Sequence, residues 1–222
     1  MNEHRLTVTR SARYYTFGNP GARVREAWFV CHGYGQLAAR FLRHFTPLDD
    51  GTRLIVAPEG LSRFYLTESP AERRVGATWM TKEDRLAEID DYVRYLDAVY
   101  EDALRAIDRA PIEVTALGFS QGTATACRWA TMGSARLDRL IVWGGEVPPD
   151  LDLTHERAAG RMRALRLSLV YGARDEFFTP KVVAATEGRL RAHGIPYTLV
   201  PFDGGHEIDA AVLKRVALAA DG

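Results

Sequence analysis

"ALGFSQGTATA", Ala116–Ala126, sets one serine between two glycines, each two residues away. The stretch continues an apolar run, "IEVTALGFS", and opens a small-residue helical pattern, "QGTATACRWATM". A serine at such a strand-to-helix junction stands on a tight, strained turn, where side chains two residues away would clash. Glycine at Gly118 and Gly122 relieves that crowding. The helix N-terminus adds unpaired N–H groups and a positive dipole end beside the hydroxyl. With 19 glycines and six serines in the chain, composition alone yields about 0.04 matches to G-x-S-x-G. Ser120 is therefore read as a nucleophile on its turn rather than as a capping residue in a packed corner.

Outward from this point, apolar runs alternate with helical patterns. "RLTVTR" and "ARYYTFG" read as two short strands of a hairpin, and "EAWFVCH" and "RLIVAPEG" as buried strands. "QLAARFLRHFTPL", with Leu37, Phe41 and Phe45 at helical spacing, lies between the last two. Thr81 reads as the N-cap of a long amphipathic helix reaching about Ala110, before Pro111. "LDRLIVWGG", "RALRLSLVYGARDEF" and "PYTLVPFDGGHEI" supply further strands. "KVVAATEGRLRAHG", closed by Gly194, and residues 208–220 supply helices. This alternation predicts an α/β protein: one domain over 1–222, with a mostly parallel central sheet flanked by helices. Ligands in such sheets bind outside the carboxyl ends of the strands. Residues 60–80, "GLSRFYLTESPAERRVGATWM", show no clear period and are long for a plain connection, which predicts a functional segment or lid.

Composition excludes several function classes. Lys+Arg and Asp+Glu both total 29, and no basic stripe appears, which argues against nucleic acid or an anionic membrane surface as partner. "MNEHRLTVTR" carries charges where a secretory signal needs an apolar run, and no stretch approaches the roughly 20 apolar residues of a membrane span. A cytoplasmic protein is expected, and a homodimer is compatible with the sequence. Cys31 and Cys127 form no disulfide framework, CxxC pair or zinc-like spacing. No metal and no cofactor is expected, and the buried-thiol reading is preferred for Cys31.

A serine hydroxyl needs a base. Of six histidines, His4, His44, His155 and His193 lie near the terminus or in surface segments. His206, in "FDGGHEI", follows the last strand, and two glycines let its loop fold over the sheet edge. The base in turn needs an acid. Asp175 in "YGARDEFFTP" follows a strand between Ser120 and His206 in chain order. Glu146 in "WGGEVPPD" also follows a strand and stays open as the alternative, with Glu176 a lesser one. One oxyanion donor is expected from the backbone N–H of Gln121, directly after the serine, and the other from Tyr34 in "HGYGQ". His32 of that loop reads as structural. Phe64, Tyr65, Leu66, Trp79 and Met80, with Phe177 and Phe178 beside Asp175, are unusually apolar for solvated loops. The expected substrate pocket consists of Phe64, Tyr65, Trp79, Met80 and Phe177.

"CHGYGQ", "LIVAPEG", "GFSQG", "YGARDEFFTP" and "FDGGHE", in this order, resemble the α/β-hydrolase superfamily. Within it the chain is most similar to the phospholipase/carboxylesterase group that includes the acyl-protein thioesterases. The resemblance covers nearly the whole chain. It implies a cofactor-free serine hydrolase with minimal or no cap domain, acting on carboxylic esters or thioesters. It places the catalytic roles on Ser120, Asp175 and His206 and the oxyanion donors on Tyr34 and Gln121. Two features depart from the group: Thr123 stands where a glycine is common, and "GATWMTKEDR" matches the tryptophan-containing pocket segment only loosely. The short 60–80 loop predicts a shallow slot and short to medium acyl groups. A non-catalytic binding protein or a peptidase on the same fold are the rival readings.

Overall fold

A computed structural model describes residues 1–19, 24–67, 73–105, 107 and 111–219. In chain order the strands are β1 (Tyr14–Phe17), β2 (Glu26–Cys31), β3 (Arg53–Pro58), β4 (Ser62–Tyr65), β5 (Val75–Thr78), β6 (Glu113–Phe119), β7 (Arg139–Trp143), β8 (Arg166–Gly172) and β9 (Thr198–Phe202). The helices are α1 (Ala38–Phe41), α2 (Arg85–Leu104), α3 (Gln121–Met132), α4 (Glu156–Ala164), α5 (Pro180–Ala192) and α6 (Ala210–Leu218); a 3-10 segment, Leu42–Leu48, continues α1. Seven strands form one sheet in the order β1-β3-β2-β6-β7-β8-β9. Only β1 runs antiparallel, against β3; every other pairing in that sheet is parallel.

The apolar runs follow from burial on both faces. In β2, Ala27, Phe29 and Cys31 join the core beneath α2, α3, α4 and α5, while Trp28 and Val30 join the core beneath α1, the 3-10 segment and α6. β7 divides likewise, Leu140 and Val142 to one side and Ile141 and Trp143 to the other. Successive side chains point to opposite faces of a strand, so a strand covered on both sides needs apolar residues throughout. No cap domain stands over the carboxyl ends among the described residues, and no helix among them is long and apolar enough to cross a membrane.

Three sequence expectations need correction, and one element was not foreseen. Residues 5–10 form no strand. The carbonyl of Arg13 accepts from Tyr95 Oη (2.6 Å) and Glu59 N (3.2 Å), and Arg5 pairs with Asp84 (2.9 Å), so the arm turns toward α2 instead of back along β1. Residues 60–80 are not irregular throughout: β4 and β5 pair antiparallel as a separate two-stranded sheet. The long helix starts at Arg85, after Asp84 in a left-handed conformation (φ 46°), not at Thr81. Thr81 instead binds Glu88 Oε2 through both N (2.6 Å) and Oγ1 (3.2 Å). Finally, α4 is a helix the periodicity did not single out; it buries only Ala159 and Met162.

Candidate active site

Ser120 lies between β6 and α3 with φ 55° and ψ −120°. With Asp84 it is one of two non-glycine residues at positive φ among those described. An L-residue is strained there, and the surroundings enforce it. Ser120 N donates to Trp143 O (3.0 Å), and Thr123 N donates to Ser120 O (3.0 Å). The flanking glycines are where strand and helix touch. A Cβ on Gly118 would fall 2.2 Å from Gly122 O, and one on Gly122 would fall 2.1 Å from Cys31 O. The helix therefore packs on β2 and β6 only because both positions lack side chains.

Thr123 fastens the same turn. Thr123, 1% exposed, donates from Oγ1 to Ser120 O (2.7 Å) and also approaches Glu146 O (3.3 Å). Gly145 gives it room: a Cβ there would meet Thr123 Oγ1 at 2.3 Å.

His206 and Asp175 meet directly, Nδ1 to Oδ2 at 2.8 Å, with the Asp175 side chain fully buried and that of His206 22% exposed. Asp175 Oδ1 accepts the backbone N–H groups of Phe177 (2.8 Å) and Phe178 (2.9 Å). Burial by itself would raise this carboxyl, but the N–H of Phe178, the contact with His206 and the N–H of Phe177 outweigh it and hold the group below the usual carboxylate range. Asp175 is thus ionised and its remaining oxygen is aimed at the imidazole. The ring packs against Phe119 (centroids 4.8 Å) and Phe177 (5.0 Å). Trp143 Nε1 donates to Glu207 O (2.8 Å) and Arg174 N to Gly204 O (2.9 Å), which fixes the loop carrying His206. The carboxylate of Glu146 makes no bond to His206, and Glu176 is exposed. Gly33 and Gly144 bring the parts together. A Cβ on Gly33 would lie 3.2 Å from Ser120 Cβ, and one on Gly144 would lie 3.3 Å from His206 Nδ1.

The His32–Gln36 loop is held from several sides. Gly33 N donates to Gln36 Oε1 (2.8 Å), Gly35 N to Ala77 O (2.9 Å) and Ala77 N to Gln36 O (3.1 Å). Gln121 anchors the turn to the same strand end, its Nε2 donating to Thr78 Oγ1 (2.9 Å) and Met80 O (3.0 Å). The N–H groups of Tyr34 and Gln121 have no acceptor among the described residues. His32 is wholly buried. Its Nε2 accepts from Gly60 N (3.0 Å), so the proton sits on Nδ1 and is donated to Gly33 O (2.8 Å). Burial lowers its pKa, against the opposing effects of the Gly33 carbonyl and Glu59. A neutral, doubly bonded histidine is a prop of the loop, as the sequence suggested. Cys31 and Cys127 are buried thiols whose ionisation burial opposes, Cys127 being pushed up to about 12.

The pocket candidates divide. Phe177 is 76% exposed beside His206, and Tyr65 is 60% exposed. Phe64, half-buried, packs on Tyr34 at 5.1 Å. Met80, half-buried, lies at the end of β5, where Arg128 Nη1 reaches its Sδ (3.6 Å). Trp79 is placed differently from the expected open wall. It is 2% exposed, its Nε1 donates to His32 O (2.8 Å), and its ring lies on His32 (5.0 Å). The indole N–H needs a buried acceptor, and the His32 carbonyl supplies it, drawing the ring under the loop. A cavity of about 620 Å³ lies at the other end of the sheet, where Arg139 and Arg166 begin β7 and β8; it contains none of Ser120, Asp175 and His206. The sequence reading missed the glycine seats at Gly33, Gly144 and Gly145. The one signal for the last two was the paired glycine directly after β7.

Neither a protein-family model nor a curated protein matches the chain. Solved structures do. Acyl-protein thioesterase 2 of Zea mays is 18% identical, with 94% of this chain and 97% of that one covered and a TM-score of 0.73. Esterase PE8 is 20% identical, with 95% and 98% covered and a TM-score of 0.68. A monoacylglycerol lipase of Paleococcus ferrophilus is 13% identical, with 95% and 98% covered and a TM-score of 0.61. Likeness at these identities establishes the α/β-hydrolase fold, over nearly the full length of each partner.

Proposed function

We propose that this chain is a serine hydrolase that cleaves carboxylic esters or thioesters of short to medium acyl chains through an acyl-enzyme on Ser120. The observation that carries the reading is the 2.8 Å bond between the buried Asp175 carboxylate and His206, together with a serine at φ 55° on the turn after β6. Ser120 Oγ makes no hydrogen bond among the described residues, and such contacts commonly close only when substrate is bound. In the cycle, Asp175 keeps the His206 proton on Nδ1, leaving Nε2 free to take the proton of Ser120 as Oγ attacks the carbonyl carbon. The tetrahedral oxyanion is held by the N–H groups of Tyr34 and Gln121. Collapse breaks the bond to the leaving alcohol or thiol, which takes its proton from His206. Water then repeats the sequence on the acyl-enzyme, with His206 again as base.

The preference for short to medium chains rests on what lies over the rim. A two-stranded hairpin, not a domain, adjoins the site, so we take Phe64, Tyr65 and Met80 as the lining of a shallow acyl slot with Trp79 buried behind it, while Phe177 stands apart beside His206. The test is a fluorophosphonate probe followed by mass mapping. Ser120 is labelled in the wild type, and Ser120→Ala is not labelled although it melts normally. Equal labelling of the two proteins refutes the assignment. The same preparations, assayed on esters and thioesters of graded acyl length, define the substrate class; a maximum at long lipid chains refutes the shallow slot.

A further inference from the structure

An exposed phenyl ring beside a general base invites a specific question: which part of the substrate does it touch? Phe177 is fixed at its backbone, because its N–H is held by Asp175 Oδ1 (2.8 Å). The next residue, Phe178, is held by the same oxygen (2.9 Å) and is buried. One carboxylate oxygen therefore turns the first ring outward and the second inward. Phe177 remains 76% exposed, yet its ring centroid is 5.0 Å from that of His206, and Phe119 lies 4.8 Å from the same imidazole. The base stands between a buried ring and an open one. Apolar surface left in water beside reacting atoms gains by being covered, and a bound ligand is what can cover it.

We infer that Phe177 is a specificity residue for the leaving group, favouring esters of aromatic or other flat apolar alcohols and thiols. The inference rests on the hydrolase reading above. Its geometry follows from proton bookkeeping. In acylation the Ser120 Oγ–acyl bond forms and the proton moves to His206 Nε2. The bond from the acyl carbon to the leaving oxygen or sulfur then breaks, and that atom takes the proton from the same nitrogen. The leaving atom must therefore come within about 3 Å of Nε2. A substituent on it is then in reach of a ring centred 5.0 Å from the imidazole. In deacylation water replaces the leaving group, so nothing is left for Phe177 to touch.

The test compares Phe177→Ala with the wild type on benzyl and ethyl butyrate, which share one acyl-enzyme. The deacylation rate is read from the slow phase after a burst with p-nitrophenyl butyrate. The benzyl-to-ethyl ratio of kcat/KM falls about tenfold in the variant, and the slow phase stays within twofold. An acyl-enzyme that forms with an unchanged ratio overturns the leaving-group role alone. A parallel loss in the slow phase also overturns it, because Phe177 then merely holds His206 in place. Absence of any acyl-enzyme in the wild type overturns the hydrolase reading, and this inference with it. Because the ring is exposed, the variant folds, and its melting curve checks that.

Discussion

Asp175→Asn is the sharpest test of the proposed triad, because the structure dictates how the new amide must sit. Oδ1 of Asp175 accepts two backbone N–H groups, from Phe177 at 2.8 Å and Phe178 at 2.9 Å. An asparagine that turned its NH₂ toward them would set donors against donors, at a cost of about 1–3 kcal/mol for each buried group left unpaired. The carbonyl therefore stays on the Oδ1 side and the NH₂ faces His206 Nδ1. That nitrogen must now accept, so the ring proton moves to Nε2, where the base has to be free. The same change in a serine protease lowers turnover about 10⁴-fold, equivalent to about 5.4 kcal/mol of barrier. A loss of that order is expected here, with melting temperature nearly unchanged because both loop bonds survive. Asp175→Ala separates the two roles: it removes the base's partner and also orphans two N–H groups, costing about 2–6 kcal/mol, or roughly 4–24 °C for a domain of this size. Burst kinetics on an aryl ester and thermal melts supply the readings. The reasoning is refuted if Asp175→Asn retains more than a tenth of wild-type turnover, if it melts as low as the alanine variant, or if Glu146→Gln loses as much.

Two further outcomes follow from the loop that carries Tyr34. The pKa of His32 is lowered in the folded protein, so the unfolded chain binds more protons below its ordinary value of about 6.5. Stability is therefore present above that pH and is lost as pH falls toward the folded value. Melting temperature should decline between pH 7 and 5 and the decline should flatten in His32→Gln, whatever the variant's absolute stability; equal slopes in the two proteins exclude His32 as the titrating group. Asp175, held below the carboxylate range, adds its own loss only at lower pH, below about 3.8. Trp79→Phe keeps most of the ring but deletes the 2.8 Å bond to His32 O. It should lower kcat while leaving the acyl-length profile unchanged, and a shifted profile at constant kcat would return Trp79 to the wall of the slot.

The sheet was legible where burial on both faces made strands into continuous apolar runs, as in "AWFVC" and "RLIVW". Elements with one covered face were harder to read. β4 alternates half-buried and exposed residues over four positions only, too few to set a period against the irregular sequence around it. In α4, Gly160 and three arginines surround two buried residues, so its stripe is too narrow to register. Thr81 carried a true signal in the wrong place: it does bind the acidic residue of the first turn, Glu88, but four residues upstream of the helix. Trp79 shows the same limit for a site residue. An apolar residue in an irregular stretch is equally consistent with lining a slot and with filling the core, and only the partner of its N–H, the carbonyl of His32, separates the two.

The choice between Asp175 and Glu146 was open in the sequence because both follow neighbouring parallel strands on the same rim. Composition and spacing treat them alike. What distinguishes them is the glycine pair after β7. Gly144 adopts φ +57°, and the imidazole packs directly over it: a Cβ would come within 3.3 Å of His206 Cε1 and Nδ1 and 3.4 Å of Asp175 Oδ2. Gly145 in turn leaves space for Thr123, whose hydroxyl approaches the backbone carbonyl of Glu146. The loop after β7 therefore serves as the seat on which His206 rests. A carboxylate two residues further on, in a backbone tied toward α3, is not presented to Nδ1. The loop after β8 has no such duty, and its own N–H groups turn Asp175 inward to meet the ring. Thr123 and the glycine pair are thus two halves of one arrangement, and together they leave Nδ1 of His206 to Asp175 after the later strand.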